Sequence, residues 1–288
     1  MDSTICNKKI KITKRKRNIL IISISLVILV SVLIIDLYRS NNCLKVSTHS
    51  LDSEKVSSSV RVGVISDLHG KVFGEDNDVL FEKLKAQNPQ IILVVGDMIS
   101  NDQTADEDIN ALSVFLNTLC DIAPVYYSVG NHERFNPRYE NIYEVIDSSE
   151  AVLLSDEYTD LNVAGINIRL GGITYYRFWD EESDVFLETF CNTENFKLLM
   201  CHHPEFYQWG IKNYDIDLTV SGHTHGGMVK LPILGPLYAP EQGWFPEFGA
   251  GLYNEENGSI AVTTGLASSP SYLPRVFNRP EIMIIDLM

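Results

Sequence analysis

Five short clusters of Asp, Asn and His punctuate this 288-residue chain. They read Asp67-Leu68-His69, Gly96-Asp97, Gly130-Asn131-His132-Glu133, His202-His203-Pro204 and Gly222-His223-Thr224-His225. Carboxylates, an amide carbonyl and imidazoles form a mixed oxygen and nitrogen donor set. That set suits Mn, Fe, Zn, Co or Ni better than Ca or Mg, which favour oxygen alone. The donors are too many for one ion. Two ions ~3.5–4 Å apart, sharing one carboxylate, would use them, and a hydroxide between the ions would be a nucleophile near neutral pH. Asp67 and Asp97 are outweighed by two divalent charges, so the site would attract a phosphate. A lone Asp after a strand is most often a turn residue or helix cap. Five successive clusters of the same residue types are not explained that way.

The elements that carry the clusters are legible too. Val60–Ile65, Ile91–Val95, Val125–Val129, Phe196–Met200 and Leu218–Val220 are short apolar, partly β-branched runs bounded by Gly or Asn, and they read as buried strands. Each stops where a polar cluster begins. Asp76–Gln87 and Asp106–Leu119 place apolar residues at helical spacing, and Glu140–Ser148 and Glu182–Phe190 do so more weakly. The order strand, helix, strand, helix, strand predicts an α/β fold with an at least partly parallel sheet. Such sheets bind ligands at the carboxyl ends of their strands, which is where all five clusters sit.

Together the clusters resemble the calcineurin-like metallophosphoesterases, whose series is Asp-x-His, Gly-Asp, Gly-Asn-His-Asp/Glu, a His-x-Pro-type motif and Gly-His-x-His. The end of the chain resembles the membrane-anchored bacterial branch of that family, in Gly222–Gly227, Leu231–Pro240 and Arg279–Ile282. The resemblance covers about residues 60–288. It implies a four-layer α/β/β/α sandwich around two sheets, and a phosphomonoester, phosphodiester or pyrophosphate hydrolase with two divalent transition-metal ions, Mn, Fe or Zn. By motif, Asp67, His69 and His225 would hold the first metal and Asn131, His202 and His223 the second. Asp97 would bridge them, and His132 would protonate the leaving group. Motif register favours His202 over His203.

The chain departs from the pattern in three places. Relatives often carry an Asp three residues after the bridging Asp, where it orients the acid His; Ser100 stands here, so the sequence does not name what orients His132. Relatives often follow Gly-His-Thr-His-Gly-Gly with Gln, and here it is Met228. The Gly-Asp-x-x-Asp-Arg-Gly of Ser/Thr phosphatases is not matched by Gly96–Asp102, which argues against protein phosphatase activity.

The amino-terminal end is of another kind. A basic cluster (Lys8 to Arg17) precedes Ile19–Ile35, seventeen residues with nothing more polar than serine. That run spans about 26 Å as a helix, enough to cross a ~30 Å hydrocarbon core with help from Arg17, Leu37 and Tyr38. No small-residue cleavage site follows, so an uncleaved anchor is expected. Its basic flank predicts a cytoplasmic tail over residues 1–18, an anchor over 19–38 and an extracytoplasmic domain at the cell membrane. Residues 39–59, rich in serine, are expected to be a flexible tether to the domain at 60–288.

Composition bounds the rest. Apolar residues make up 45% of the chain, so a large core can be buried. Beyond residue 40 there are 15 Lys/Arg against 36 Asp/Glu, and a body that acidic should repel nucleic acid. The expected partners are a phosphoester substrate associated with lipid or wall rather than nucleic acid, and the membrane itself through the N-terminal helix. Five cysteines make no Cys-x-x-Cys motif, although a Cys120–Cys191 or Cys191–Cys201 pair is compatible with the chain. The aromatic stretch from Pro236 to Tyr253 reads either as a loop packed on the core or as a wall beside the metals. A competing reading is a non-catalytic scaffold that binds a protein partner. Such scaffolds lose ligands or the acid His, and all eight positions are filled here.

Overall fold

The computed structural model describes residues 13–174, 181–268 and 273–288. Lys8, Lys9 and Lys11 of the basic cluster lie outside the described residues.

The chain opens with α1 (Lys14–Asn42), then β1 (Lys45–Leu51), β2 (Val60–Ile65), α2 (Asp78–Lys85), β3 (Ile91–Val95), α3 (Asp106–Cys120) and β4 (Val125–Ser128). Next come α4 (Asn131–Arg134), α5 (Tyr139–Asp147), β5 (Val152–Leu153), β6 (Glu157–Val163), β7 (Ile166–Ile173), α6 (Glu181–Cys191) and β8 (Phe196–Cys201). After α7 (Glu205–Trp209) and β9 (Leu218–Ser221), two short hairpins follow: β10 (Lys230–Leu231) with β11 (Gly235–Pro236), and β12 (Tyr238–Ala239) with β13 (Gly243–Trp244). The chain ends with β14 (Gly251–Glu255), β15 (Gly258–Val262) and β16 (Glu281–Leu287).

Two six-stranded mixed sheets result, ordered β1-β16-β2-β3-β4-β5 and β14-β15-β9-β8-β7-β6. The strands that precede the polar clusters run parallel to one another within each sheet. Strand alternation sends side chains to two different cores. Val60, Val62 and Val64 of β2 and Met283, Ile285 and Leu287 of β16 meet Leu198, Met200, Leu218 and Val220 between the sheets. Ile65, Ile92, Val94 and Ile284 face the other way, onto Leu80, Leu84, Ile109, Leu116 and Ile142 of the helices. On the far side, Leu199, Ile260 and Val262 pack against Leu187, Phe190, Phe206 and Tyr207. The order is helices, sheet, sheet, helices, the expected four-layer α/β/β/α sandwich. A sheet covered on both faces explains strands that are apolar at nearly every position.

The tether expected over residues 39–59 is a correction. The helix continues to Asn42, and Lys45–Leu51 forms an edge strand parallel to β16. Val46 packs on the helix-covered core and Leu51 on the inter-sheet core, while Thr48 and Ser50 face solvent. An edge strand takes its backbone partners from one neighbour only, and polar side chains on it leave no apolar signal to read. Before the strand, Ser40 is fully buried. The apolar stretch of α1 is exposed along its length, and it is long and apolar enough to cross a membrane. Cys43, Cys120, Cys191 and Cys201 are free thiols.

Candidate metal centre

Asp67 and His69 follow β2, Asp97 follows β3, and Asn131 opens α4 just after β4. His202 follows β8, and His223 and His225 follow β9. The loops stay paired beyond the strands: the Asp67 N–H donates to Gly96 O and the His69 N–H to Asp97 O, both at 3.0 Å. The two sheets are stitched together here by the His223 N–H, which donates to Asp67 Oδ1 at 3.1 Å. Glycine allows the approach. A Cβ on Gly222 would lie 2.1 Å from Ser66 Oγ, and one on Gly130 would lie 2.2 Å from Asp97 Oδ1.

Five of the site residues adopt left-handed backbone conformations: Asp67 (φ 56°), His69 (47°), Asp97 (57°), His223 (65°) and His225 (48°). Each such turn costs a non-glycine residue on the order of 1 kcal/mol. The turns aim the side chains at one another.

The imidazoles are gripped from behind. His202 Nδ1 donates to Val95 O at 2.7 Å, and His225 Nδ1 donates to Ala267 O at 3.0 Å. His69 Nδ1 lies 3.1 Å from Ser100 Oγ. The Nε2 atoms therefore turn inward. Those of His69, His202 and His223 are buried and have no hydrogen-bond partner among the described residues. His202 Nε2 is 3.1 Å from Asp97 Oδ2, His69 Nε2 is 3.9 Å from the same oxygen, and His225 Nε2 is 3.8 Å from Asp67 Oδ1. Inward Nε2 atoms with anchored Nδ1 atoms are the arrangement of metal-ligating histidines. Burial lowers His69 to about 3 and His223 to about 4, and holds His225 well below its ordinary value. At neutral pH these rings are neutral, with a lone pair to offer. Burial opposes a charge on His202, yet the Asp97 and Asp67 carboxylates raise it to about 10. The buried carboxylates thus demand positive charge, which a divalent cation also supplies. The groups Asp67–His69–His225, Asp67–Asp97–His202 and His202–His203–His223 each converge closely enough to hold an ion. The residues fit a divalent metal centre.

All seven residues expected as ligands border this one space, and His132 lies beside it. Its ring stands edge-on to His69 with centroids 4.5 Å apart. The Asn101 N–H donates to His132 Nδ1 at 3.2 Å, and the His132 N–H donates to Asp97 Oδ1 at 2.8 Å. Ser100 stands against His69 instead, and the Asn101 backbone amide bonds the His132 ring. Glu133 underpins the loops, taking N–H groups from Asp97, Met98 and Gly130 and the Tyr127 hydroxyl. Burial and the Asp97 charge push it up to about 7.

Other members of the site were not legible. His203 Nε2 lies 3.1 Å from Asn131 Oδ1, and its Nδ1 lies 3.1 Å from Glu241 Oε2. The same Glu241 oxygen is 3.2 Å from His223 Nε2, and the two imidazoles hold its pKa well below the usual carboxylate range. The sequence offers His203 only as an alternative to His202, and it offers nothing for Glu241. Behind the other half, the buried Arg275 donates to the carbonyls of Gly265, His225 and Thr264, and Asn278 Nδ2 donates to His225 O at 2.7 Å. The 236–253 stretch divides. Phe248 is buried against Tyr207 and Tyr253, whereas Tyr238, Trp244 and Phe245 are exposed on the hairpin whose turn carries Glu241. Nothing in the structure explains Met228 in place of Gln.

Comparison with known proteins adds an independent line. The profile of the family described as Calcineurin-like phosphoesterase matches residues 60–227. An uncharacterized metallophosphoesterase of Campylobacter jejuni is 31% identical over 93% of this chain and 70% of its own length. A phosphodiesterase of Escherichia coli is 27% identical over 70% of this chain and 72% of its own length. Among solved structures, a 5'-nucleotidase precursor from Thermus thermophilus matches with a TM-score of 0.47 and 13% identity, over 72% of this chain. The chain spans about half the length of that protein, 48%.

Proposed function

We propose, for a chain that belongs to the calcineurin-like phosphoesterase family and is a metal-dependent phosphoester hydrolase, that it works with two divalent cations side by side on the outer face of a membrane. Asp67, His69 and His225 would hold one cation, Asn131, His202 and His223 the other, and Asp97 both. When bound, the pair would polarise the phosphoryl oxygens and supply an activated water as nucleophile. The observation that supports this reading is the convergence of buried Nε2 atoms on the Asp97 and Asp67 carboxylates.

The chain's own residues do the remainder. The Asn101 N–H donates to His132 Nδ1 and so orients the ring, leaving Nε2 as the nitrogen that would pass a proton to the departing oxygen. The backbone bond from His132 to Asp97 fixes the acid relative to the shared carboxylate. Glu133 keeps the Asp97 loop in place by binding its amides.

Helix α1 would anchor the chain, with its basic start in the cytoplasm and the sandwich outside. The test of the chemistry uses the purified full chain in detergent. Aryl phosphates or phosphodiesters should be hydrolysed, a chelator should abolish the activity, and Mn or another transition metal should restore it. Full activity after exhaustive metal removal would sink the reading.

A further inference from the structure

We propose that the phosphoester cleaved by this chain is carried on a membrane lipid and meets the centre at headgroup height. The proposal rests on the phosphoesterase reading and on α1 as the anchor.

The junction between helix and sandwich has no slack. Asp36 Oδ2 accepts the Phe277 N–H at 2.7 Å, and Ser40 Oγ accepts the Asn278 N–H at 3.1 Å. Asn41 clasps Arg275 from both sides, taking its N–H and donating to its carbonyl, each at 2.9 Å. Lys71 Nζ donates to Asn41 O at 2.7 Å. Two of these partners reach the centre directly: Asn278 and Arg275 both donate to the carbonyl of His225. Lys71 is two residues beyond His69.

These bonds fix a height. The apolar run ends at Ile35, with Leu37 and Tyr38 completing the span, and Ser40 follows two to five residues further along a continuous helix. At ~1.5 Å per residue that is about 3–8 Å, within the headgroup layer beyond a ~30 Å core. One residue, Asn278, then spans from Ser40 to the His225 carbonyl, through its backbone N–H on one side and its side-chain amide on the other. A soluble substrate gains nothing from a centre held this low, whereas a phosphate on a lipid is found only there.

The surface around the junction suits the same partner. The chain as a whole is acidic, at −15. Yet Arg39 is exposed at the helix end, and Lys71, Lys230 and Arg279 stand partly buried around the junction, Lys71 and Arg279 donating to the carbonyls of Asn41, Cys43 and Leu44. Cations in that position attract anionic headgroups. Val276, next to the segment bonded to Asp36, pairs with Lys230 and Met228 and so ties the β10–β11 hairpin to the helix. The turn of that hairpin presents Ile233 and Leu234, 105% and 67% exposed. Two bare aliphatic side chains beside cations and a membrane helix are placed to enter the interface.

The test uses the full chain, metal-loaded, in phosphatidylcholine vesicles containing phosphatidic acid, phosphatidylglycerol or a polyprenyl diphosphate. Their water-soluble counterparts, glycerol phosphate, glycerophosphoglycerol and a short-chain isoprenyl diphosphate, are assayed in parallel. At least one lipid should turn over about tenfold or more faster than its soluble counterpart. Ile233→Asp with Leu234→Asp should lower the lipid rate about tenfold while nitrophenyl phosphoester turnover and Tm stay unchanged. Lipids cleaved no faster than their counterparts, with the Asp pair silent, would overturn the proposal. So would an Asp pair that only converts a dimer to a monomer, which would assign the tip to a second copy. No turnover of any phosphoester by the metal-loaded chain would instead sink the phosphoesterase reading.

Discussion

The two halves of the centre are held by different means. Asp67, His69 and His225 are backed by the interior: Ser100 on His69, Ala267 on His225, and the buried Arg275 and Asn278 on the His225 carbonyl. On the other half, Asn131 and His223 face His203 and Glu241, and Glu241 sits 40% exposed on the turn of a short hairpin. The difference separates two tasks. The interior half sets positions that the fold cannot vary without unfolding. The outer half is closed by a hairpin that can change sequence without touching the core, which is where specificity is free to diverge.

The strongest way to break the distinction is at the shared residue. Asp97→Asn should cost more activity than any other single change, and the metal-to-protein ratio should fall at both positions. An unchanged ratio by elemental analysis would show that the halves do not share a carboxylate. His132→Ala comes next. It should cost about 10²–10⁴ in kcat on an alkyl phosphodiester, far less on a nitrophenyl ester whose leaving group needs no proton, and nothing in metal content. Equal losses on both substrates would remove His132 from the acid role.

The halves themselves are compared by a pair of variants. Arg275→Met removes a buried donor shared by three carbonyls; Gly265 O keeps the Glu281 N–H and His225 O keeps Asn278 Nδ2, so it should cost about 1–3 kcal/mol of stability and weaken metal binding with it. Glu241→Ala should alter metal affinity by less than the ~10–100-fold of a typical supporting residue and leave Tm unchanged. If calorimetry finds the two variants alike, the contrast between the halves is wrong.

A pH-dependent effect lies at the seam that joins β1 to the interior half. Glu281 accepts the Thr264 N–H and pairs with Lys45 at 2.8 Å. Burial opposes its charge, but Lys45 holds its pKa at about 2, below the ordinary 4.5. A depressed carboxylate pKa stabilises the fold above the ordinary value and loses that stability as pH falls toward the folded value. The contribution is on the order of 3 kcal/mol. The Tm advantage over Glu281→Gln should therefore be full at pH 7 and shrink between about pH 4.5 and 2. An advantage that persists at pH 2 would place the effect elsewhere.

What the sequence made legible was whatever repeats a pattern. β2, β3 and β8 are apolar at nearly every position, alternate and intervening alike, because both sheet faces are covered. The ligand clusters stand out because each ends such a run. β1 escaped notice because Ser47, Thr48, His49 and Ser50 give an exposed edge no apolar period. Arg275 and Asn278 escaped because they bond to backbone carbonyls, which leave no trace in side-chain identity. Glu241 is far from the clusters in sequence and reaches them only through the fold of its hairpin.

The left-handed turns at Asp67, His69, Asp97, His223 and His225 have a consequence for how such a chain drifts. Glycine at any of the five would relax the backbone, so folding alone favours replacing them. Stability and chemistry thus pull against each other at the same residues. A copy of this sandwich retained only as a scaffold would gain by exchanging them for Gly or Asn, one mutation at a time. All five are still Asp or His in this chain.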